Sequence, residues 1–88
     1  MIEKKIVIGL QHGLQARNAT EFVQKASSFS SEINLIKNGG SLAAKSIMGI
    51  MALAIRKGEE ITLIADGSDE HQAVIALETV LLNKEWYF

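Results

Sequence analysis

Ile33-Asn34-Leu35-Ile36-Lys37-Asn38-Gly39-Gly40-Ser41-Leu42-Ala43 reads as a β-hairpin. Ile33 and Leu35 alternate with Asn34, the period of a strand with one buried face, and Asn38-Gly39-Gly40 supplies the backbone freedom for a tight turn into Ser41 to Ala43. Upstream, Ala16, Ala19, Phe22, Val23 and Ala26 recur at helical spacing and predict a helix of about three turns, ended by Ser27-Ser28-Phe29-Ser30-Ser31. Before it, Lys4 to Ile8 is an apolar, β-branched run closing at Gly9, which reads as a strand. Downstream, a short helix is expected from Ile47 to about Leu53, with a break at Gly58. Glu60 to Ala65 then forms a strand with Ile61, Leu63 and Ala65 on one face. A last helix begins near Asp69 and carries Ala73, Val74, Leu77, Val80 and Leu81 at helical intervals, with Ser68 or Asp69 placed to cap its first amides. The order βαββαβα favours a four-stranded antiparallel sheet with three helices packed on one face, an α+β architecture.

Composition narrows the chemistry. The 88 residues are expected to form a single domain, 1–88, with one core. Cysteine is absent, so neither a disulfide nor a thiolate site is available, which is compatible with a cytoplasmic protein. His12 and His71 lie far apart without ligand-spaced companions, and no metal site is expected. The formal net charge of −1 and the pI of about 6.1, with lysines scattered along the chain, argue against direct nucleic-acid binding. Met1 to Leu10 carries charges inside an otherwise apolar stretch, so no signal peptide is expected, and no run approaches the ~18 apolar residues of a membrane span. The expected partners are proteins.

Two stretches carry the functional signal: Gly13-Leu14-Gln15-Ala16-Arg17-Asn18-Ala19 and Ala44-Lys45-Ser46-Ile47-Met48-Gly49. Both resemble motifs of the histidine-containing phosphocarrier protein family, HPr, of the sugar phosphotransferase system. In that family the first motif reads Gly, apolar, His, Ala, Arg, Pro, Ala; here the histidine is Gln15 and the proline is Asn18. The resemblance extends over the whole chain in length, order of elements and spacing between the motifs. It implies an open-faced β-sandwich and, with the nucleophile replaced, regulation without phosphoryl relay. The branch it resembles most is the catabolite-repression type, defined by glutamine in place of the active histidine. Asn18 departs even from that type, which usually keeps the proline.

The chemistry of Gln15 supports this independently of family. A phosphocarrier needs a nucleophile that accepts and returns a phosphoryl group near neutral pH, as an imidazole nitrogen does. The amide nitrogen of a glutamine has its lone pair delocalised into the carbonyl and offers only hydrogen bonding. Gln15 is therefore either a partner contact or a polar residue closing the loop before a helix, and no enzymatic activity and no cofactor are expected.

Ser46 precedes Ile47, Met48, Gly49, Ile50 and Met51, where a side-chain oxygen caps a short helix. A phosphoryl group there would face unpaired amides and the positive end of the helix dipole, adding about −1.5 to −2 charge at one spot. The resemblance implies that this serine is phosphorylated by the ATP-dependent HPr kinase/phosphorylase and that the product serves as co-repressor for catabolite control protein A, a transcription regulator. An ordinary helix cap is the simpler alternative. Lys45, Ser46, Ile47, Met48, Gly49 and Met51 together match the family's recognition segment, so the resemblance implies partner contacts there, and the apolar side chains of so short a helix cannot all face inward. The resemblance implies that Arg17 lies near the serine helix, and since a guanidinium suits bidentate phosphate contact it is the expected reader of phosphorylated Ser46 together with the partner, a solvated helix-end arginine being the alternative. Two other readings stay open: a phosphoryl carrier using His12, and a constitutive protein-binding modulator of a metabolic enzyme. The Trp86-Tyr87-Phe88 tail either packs on its own core or forms an apolar patch for self-association, and the oligomeric state is expected to be monomer or weak homodimer.

Overall fold

The computed structural model describes residues 1–10 and 16–82. Its elements run β1 (Ile2–Val7), α1 (Ala16–Ser27), β2 (Glu32–Lys37), β3 (Gly40–Ala43), α2 (Ile47–Ala52), β4 (Glu60–Asp66) and α3 (Glu70–Leu81), in the expected βαββαβα order. The four strands form one antiparallel sheet in the order β1-β4-β2-β3. The central hairpin closes on Asn38 (φ 51°) and Gly39 (φ 84°) between the paired Lys37 and Gly40. Two consecutive positive φ values are what a two-residue turn matched to the twist of its strands demands, and Asn-Gly tolerates them best.

β1 begins two residues earlier than Lys4 and ends at Val7 instead of Ile8. Its register against β4, from Ile2 opposite Ala65 to Val7 opposite Glu60, recruits Ile2 and Glu3 into the ladder. Ile8 continues the pairing through its N–H to the Glu59 carbonyl at 2.9 Å and its carbonyl to the Gly58 N–H at 2.8 Å.

Strand alternation sorts the side chains by face. Ile6, Ile8, Ile33, Leu35, Ile61, Leu63 and Ala65 are buried beneath the helices, where Ala19, Phe22 and Ala26 of α1, Ile50 of α2, and Ala73, Val74, Leu77, Val80 and Leu81 of α3 meet them. Lys4, on that same face, reaches over its edge to pair with Glu78 of α3 at 2.8 Å. Glu3, Lys5 and Val7 point the other way and are exposed, as the outer face of a sheet covered on one side requires.

The start of α3 departs from expectation. Asp69 occupies the N-cap position but makes no side-chain cap to the helix. Its carboxylate instead accepts hydrogen bonds from the backbone N–H groups of Ser30 (2.8 Å) and Ser31 (2.9 Å), and from both serine hydroxyls. Those donors, the Ser31 hydroxyl first, lower its pKa to about 2. Glu70 takes over at the entry to α3, accepting the Gly67 N–H at 3.0 Å. Gly67 (φ 159°) also has to be a glycine on steric grounds: a Cβ there would lie 2.6 Å from the Ser31 Cα.

None of the described helices is long and apolar enough to cross a membrane.

Candidate functional site

The second motif forms the passage from β3 into α2. Ala44 is buried and its N–H bonds the Ile33 carbonyl at 2.8 Å, which fixes the chain against the sheet immediately before the helix. Ser46 follows in an extended conformation (φ −107°, ψ 108°) and is the N-cap, its Oγ accepting the Gly49 N–H at 3.2 Å while its carbonyl takes the Ile50 N–H at 3.0 Å. The residue is exposed. Gly49 keeps this corner open, since a Cβ at that position would stand 3.2 Å from the Ser46 Oγ and 3.4 Å from a Leu42 methyl. An exposed hydroxyl at the entry of a helix is thus free to accept a covalent group while the backbone around it is held.

The six residues of α2 divide sharply. Ile50 is buried and Ile47 is half-buried against the core, whereas Met48 is 81% exposed and Met51 46%. Three positions apart, the two methionines are neighbours on the helix surface. They form an apolar, adaptable patch beside Ser46. Lys45, expected as a partner contact, is exposed but already donates from Nζ to the Phe29 carbonyl at 2.9 Å, beyond the end of α1. Arg17 is the second residue of α1, an element that packs against α2. Gln15, His12 and the Trp86-Tyr87-Phe88 tail lie outside the described residues. His71 is exposed near the start of α3, away from the motif.

The far end of α2 is held by a residue the sequence did not single out. Lys37, at the end of β2, donates from Nζ to the carbonyls of Leu53 and Ala54, both at 2.9 Å, and pairs with Glu59 at 3.0 Å. Both carbonyls lie just past Ala52, the last residue of α2, where a cation is favourable for hydrogen bonding and for the dipole. Glu59 in turn accepts the Arg56 N–H at 2.6 Å, and that bond, with Lys37 second, holds its carboxyl below the usual range. Lys37 lies 16 positions before Leu53, a separation that no local pattern reports. Among the described residues no group of three His, Cys, Asp or Glu side chains is placed to hold a metal ion.

Comparison with known proteins agrees with this geometry. The family model described as the phosphotransferase-system HPr component phosphorylation site matches residues 2–83. The HPr-like protein Crh of Halalkalibacterium halodurans is 53% identical over 77 residues, covering 88% of this chain and 92% of the relative. Among solved structures, the phosphocarrier protein HPr of Bacillus anthracis superposes with a TM-score of 0.89 at 45% identity, covering 91% of this chain and 95% of that one. The catabolite-repression protein Crh of Bacillus subtilis, described as a swapped dimer, gives 0.76 at 44% identity over the full length of both chains.

Proposed function

The chain belongs to the HPr family and is a homologue of Crh, which implies a role in catabolite repression, and from this we propose that it is a non-enzymatic regulator switched by phosphorylation of Ser46. The observation that carries the reading is the exposed N-cap Ser46 set beside the exposed Met48 and Met51. HPr kinase/phosphorylase would be the modifying enzyme. The Ser46 Oγ attacks the γ-phosphorus of ATP, the bond from that phosphorus to the bridging oxygen breaks, ADP leaves, and the hydroxyl proton passes to a base of the kinase. The product adds about −1.5 to −2 charge at the positive end of α2. Catabolite control protein A is the proposed reader, with Met48, Met51 and the exposed part of Ile47 as apolar anchors. Arg17 is assigned to the phosphate, on the adjoining α1. Lys45 contributes charge at the rim while holding the Phe29 carbonyl.

Gln15 supplies no nucleophile, so phosphoenolpyruvate-dependent relay through that position is excluded on chemical grounds. As for assembly, the reading is a monomer or weak homodimer.

Intact mass with site mapping after incubation with HPr kinase/phosphorylase and ATP tests the proposal, with Ser46→Ala as control. One added phosphoryl group on Ser46, absent from the control, together with binding to the regulator only after modification, is the expected result. An unmodified protein, or regulator binding that ignores Ser46→Ala, would overturn it.

A further inference from the structure

We propose that Met48, with Met51 beside it, is a site of reversible oxidation by hydroperoxides that closes the α2 docking surface without altering Ser46. The inference rests on the reading of that surface as the regulator-binding patch. Its observations are independent of Ser46. Met48 is 81% exposed and Met51 46%, while the two isoleucines of α2, Ile47 and Ile50, are drawn toward the core. The remaining methionine, Met1, is 74% exposed but stands at the start of β1 beside Asp66 and Glu70, at the opposite edge of the sheet from β3, against which α2 packs. The chain therefore presents one oxidisable thioether away from the patch and two within it.

The chemistry is a two-electron oxygen transfer. A sulfur lone pair attacks one peroxide oxygen, the O–O bond breaks, and the other oxygen leaves as water after taking up a proton. The thioether becomes a sulfoxide and hydrogen peroxide is reduced to water. On a side chain as exposed as that of Met48 the new S=O group is hydrated at once, so the fold is not disturbed. The cost arises only on docking. A thioether enters an apolar pocket readily, whereas a sulfoxide oxygen must be stripped of water and find a donor there. The Ser46 Oγ, occupied with the Gly49 N–H, is untouched by the change. Two modifications thus act on adjacent groups with opposite sense: phosphorylation creates the docking signal and oxidation removes the apolar anchor.

The test uses the full chain phosphorylated on Ser46, treated with hydrogen peroxide, mapped for sulfoxide by mass spectrometry, and titrated against catabolite control protein A. Sulfoxide at Met48 is expected to weaken binding about tenfold or more, the penalty of one buried unpaired polar group. In a Met48→Leu, Met51→Leu double variant, whose remaining methionine is Met1, the same treatment leaves the affinity equal to that variant's own untreated value. Methionine sulfoxide reductase restores binding of the oxidised natural chain. Unchanged affinity with Met48 mapped as sulfoxide, or an equal loss in the double variant, would overturn the inference and leave the phosphorylation switch standing. Failure of the untreated phosphorylated chain to bind would overturn the switch and this inference together.

Discussion

Ser31 and Asp69, 38 positions apart, are joined by two hydrogen bonds that pin the entry of β2 to the entry of α3, the Asp69 carboxylate accepting both the N–H and the hydroxyl of Ser31. The serine is buried, and every donor it brings to this corner is used. Ser31→Ala leaves the shape and removes the hydroxyl, so a loss of about 1–3 kcal/mol is expected. Urea unfolding measures it as a lower midpoint with unchanged slope.

The same carboxylate gives the protein an acid response. The folded pKa of Asp69 is lowered from 3.8 to about 2, chiefly by the Ser31 hydroxyl and then by the Ser30 N–H. A depressed carboxylate contributes stability that is complete above its unfolded pKa and is lost as pH falls through the folded value. The natural chain should therefore lose stability between about pH 4 and pH 2 more steeply than Asp69→Asn, which has no carboxylate to protonate. Thermal melts across that window would show two parallel profiles if the carboxylate has no such role.

Ser46 has a structural part distinct from any modification. Replacing it by Ala removes the acceptor for the Gly49 N–H and should cost about 0.5–2 kcal/mol, whereas Ser46→Asp keeps a good N-cap and should cost little. Hydrogen exchange at the α2 amides distinguishes the two variants: faster in Ser46→Ala, near the natural rate in Ser46→Asp.

Lys37→Met tests the other end of α2. Two carbonyls lose a charged donor and Glu59 loses its ion pair, for an expected cost of about 1–3 kcal/mol. The effect should be local, with exchange quickening in α2 and at Leu53 to Gly58 before it does in β4. Uniform quickening across the sheet would mean that Lys37 stabilises the whole fold instead of this corner.

What the chain revealed in advance was whatever short-range chemistry controls. Asn38-Gly39 carries its own turn geometry, and the 3.6-residue period of Ala73, Val74, Leu77, Val80 and Leu81 survives in the structure as a buried stripe. The start of β1 was hidden because Glu3 interrupts the apolar pattern after Ile2, and only pairing with Ala65 and Ile64 makes Ile2 and Glu3 strand residues. Asp69 looked like a helix cap by position, but two serines from another part of the chain offer it more donors than its own helix. Within the candidate site, the cap by Ser46 and the exposure of Met48 and Met51 follow from the shortness of the helix. Lys45 and Lys37 could not be sorted from sequence, since each finds its carbonyls 16 or 17 positions away and nothing near either lysine marks the partner.

A six-residue helix does not persist alone in water, because nucleation costs more than so few hydrogen bonds return. α2 persists because the fold grips both ends, Ser46 at its entry and Lys37 beyond its exit. A protein docking on Met48 and Met51 consequently meets an anchor pair already preorganised, and its affinity is not reduced by the entropy of winding the helix. An excised peptide carrying the same residues would have to meet that cost itself, so the proposed recognition would favour the folded corner over the linear motif.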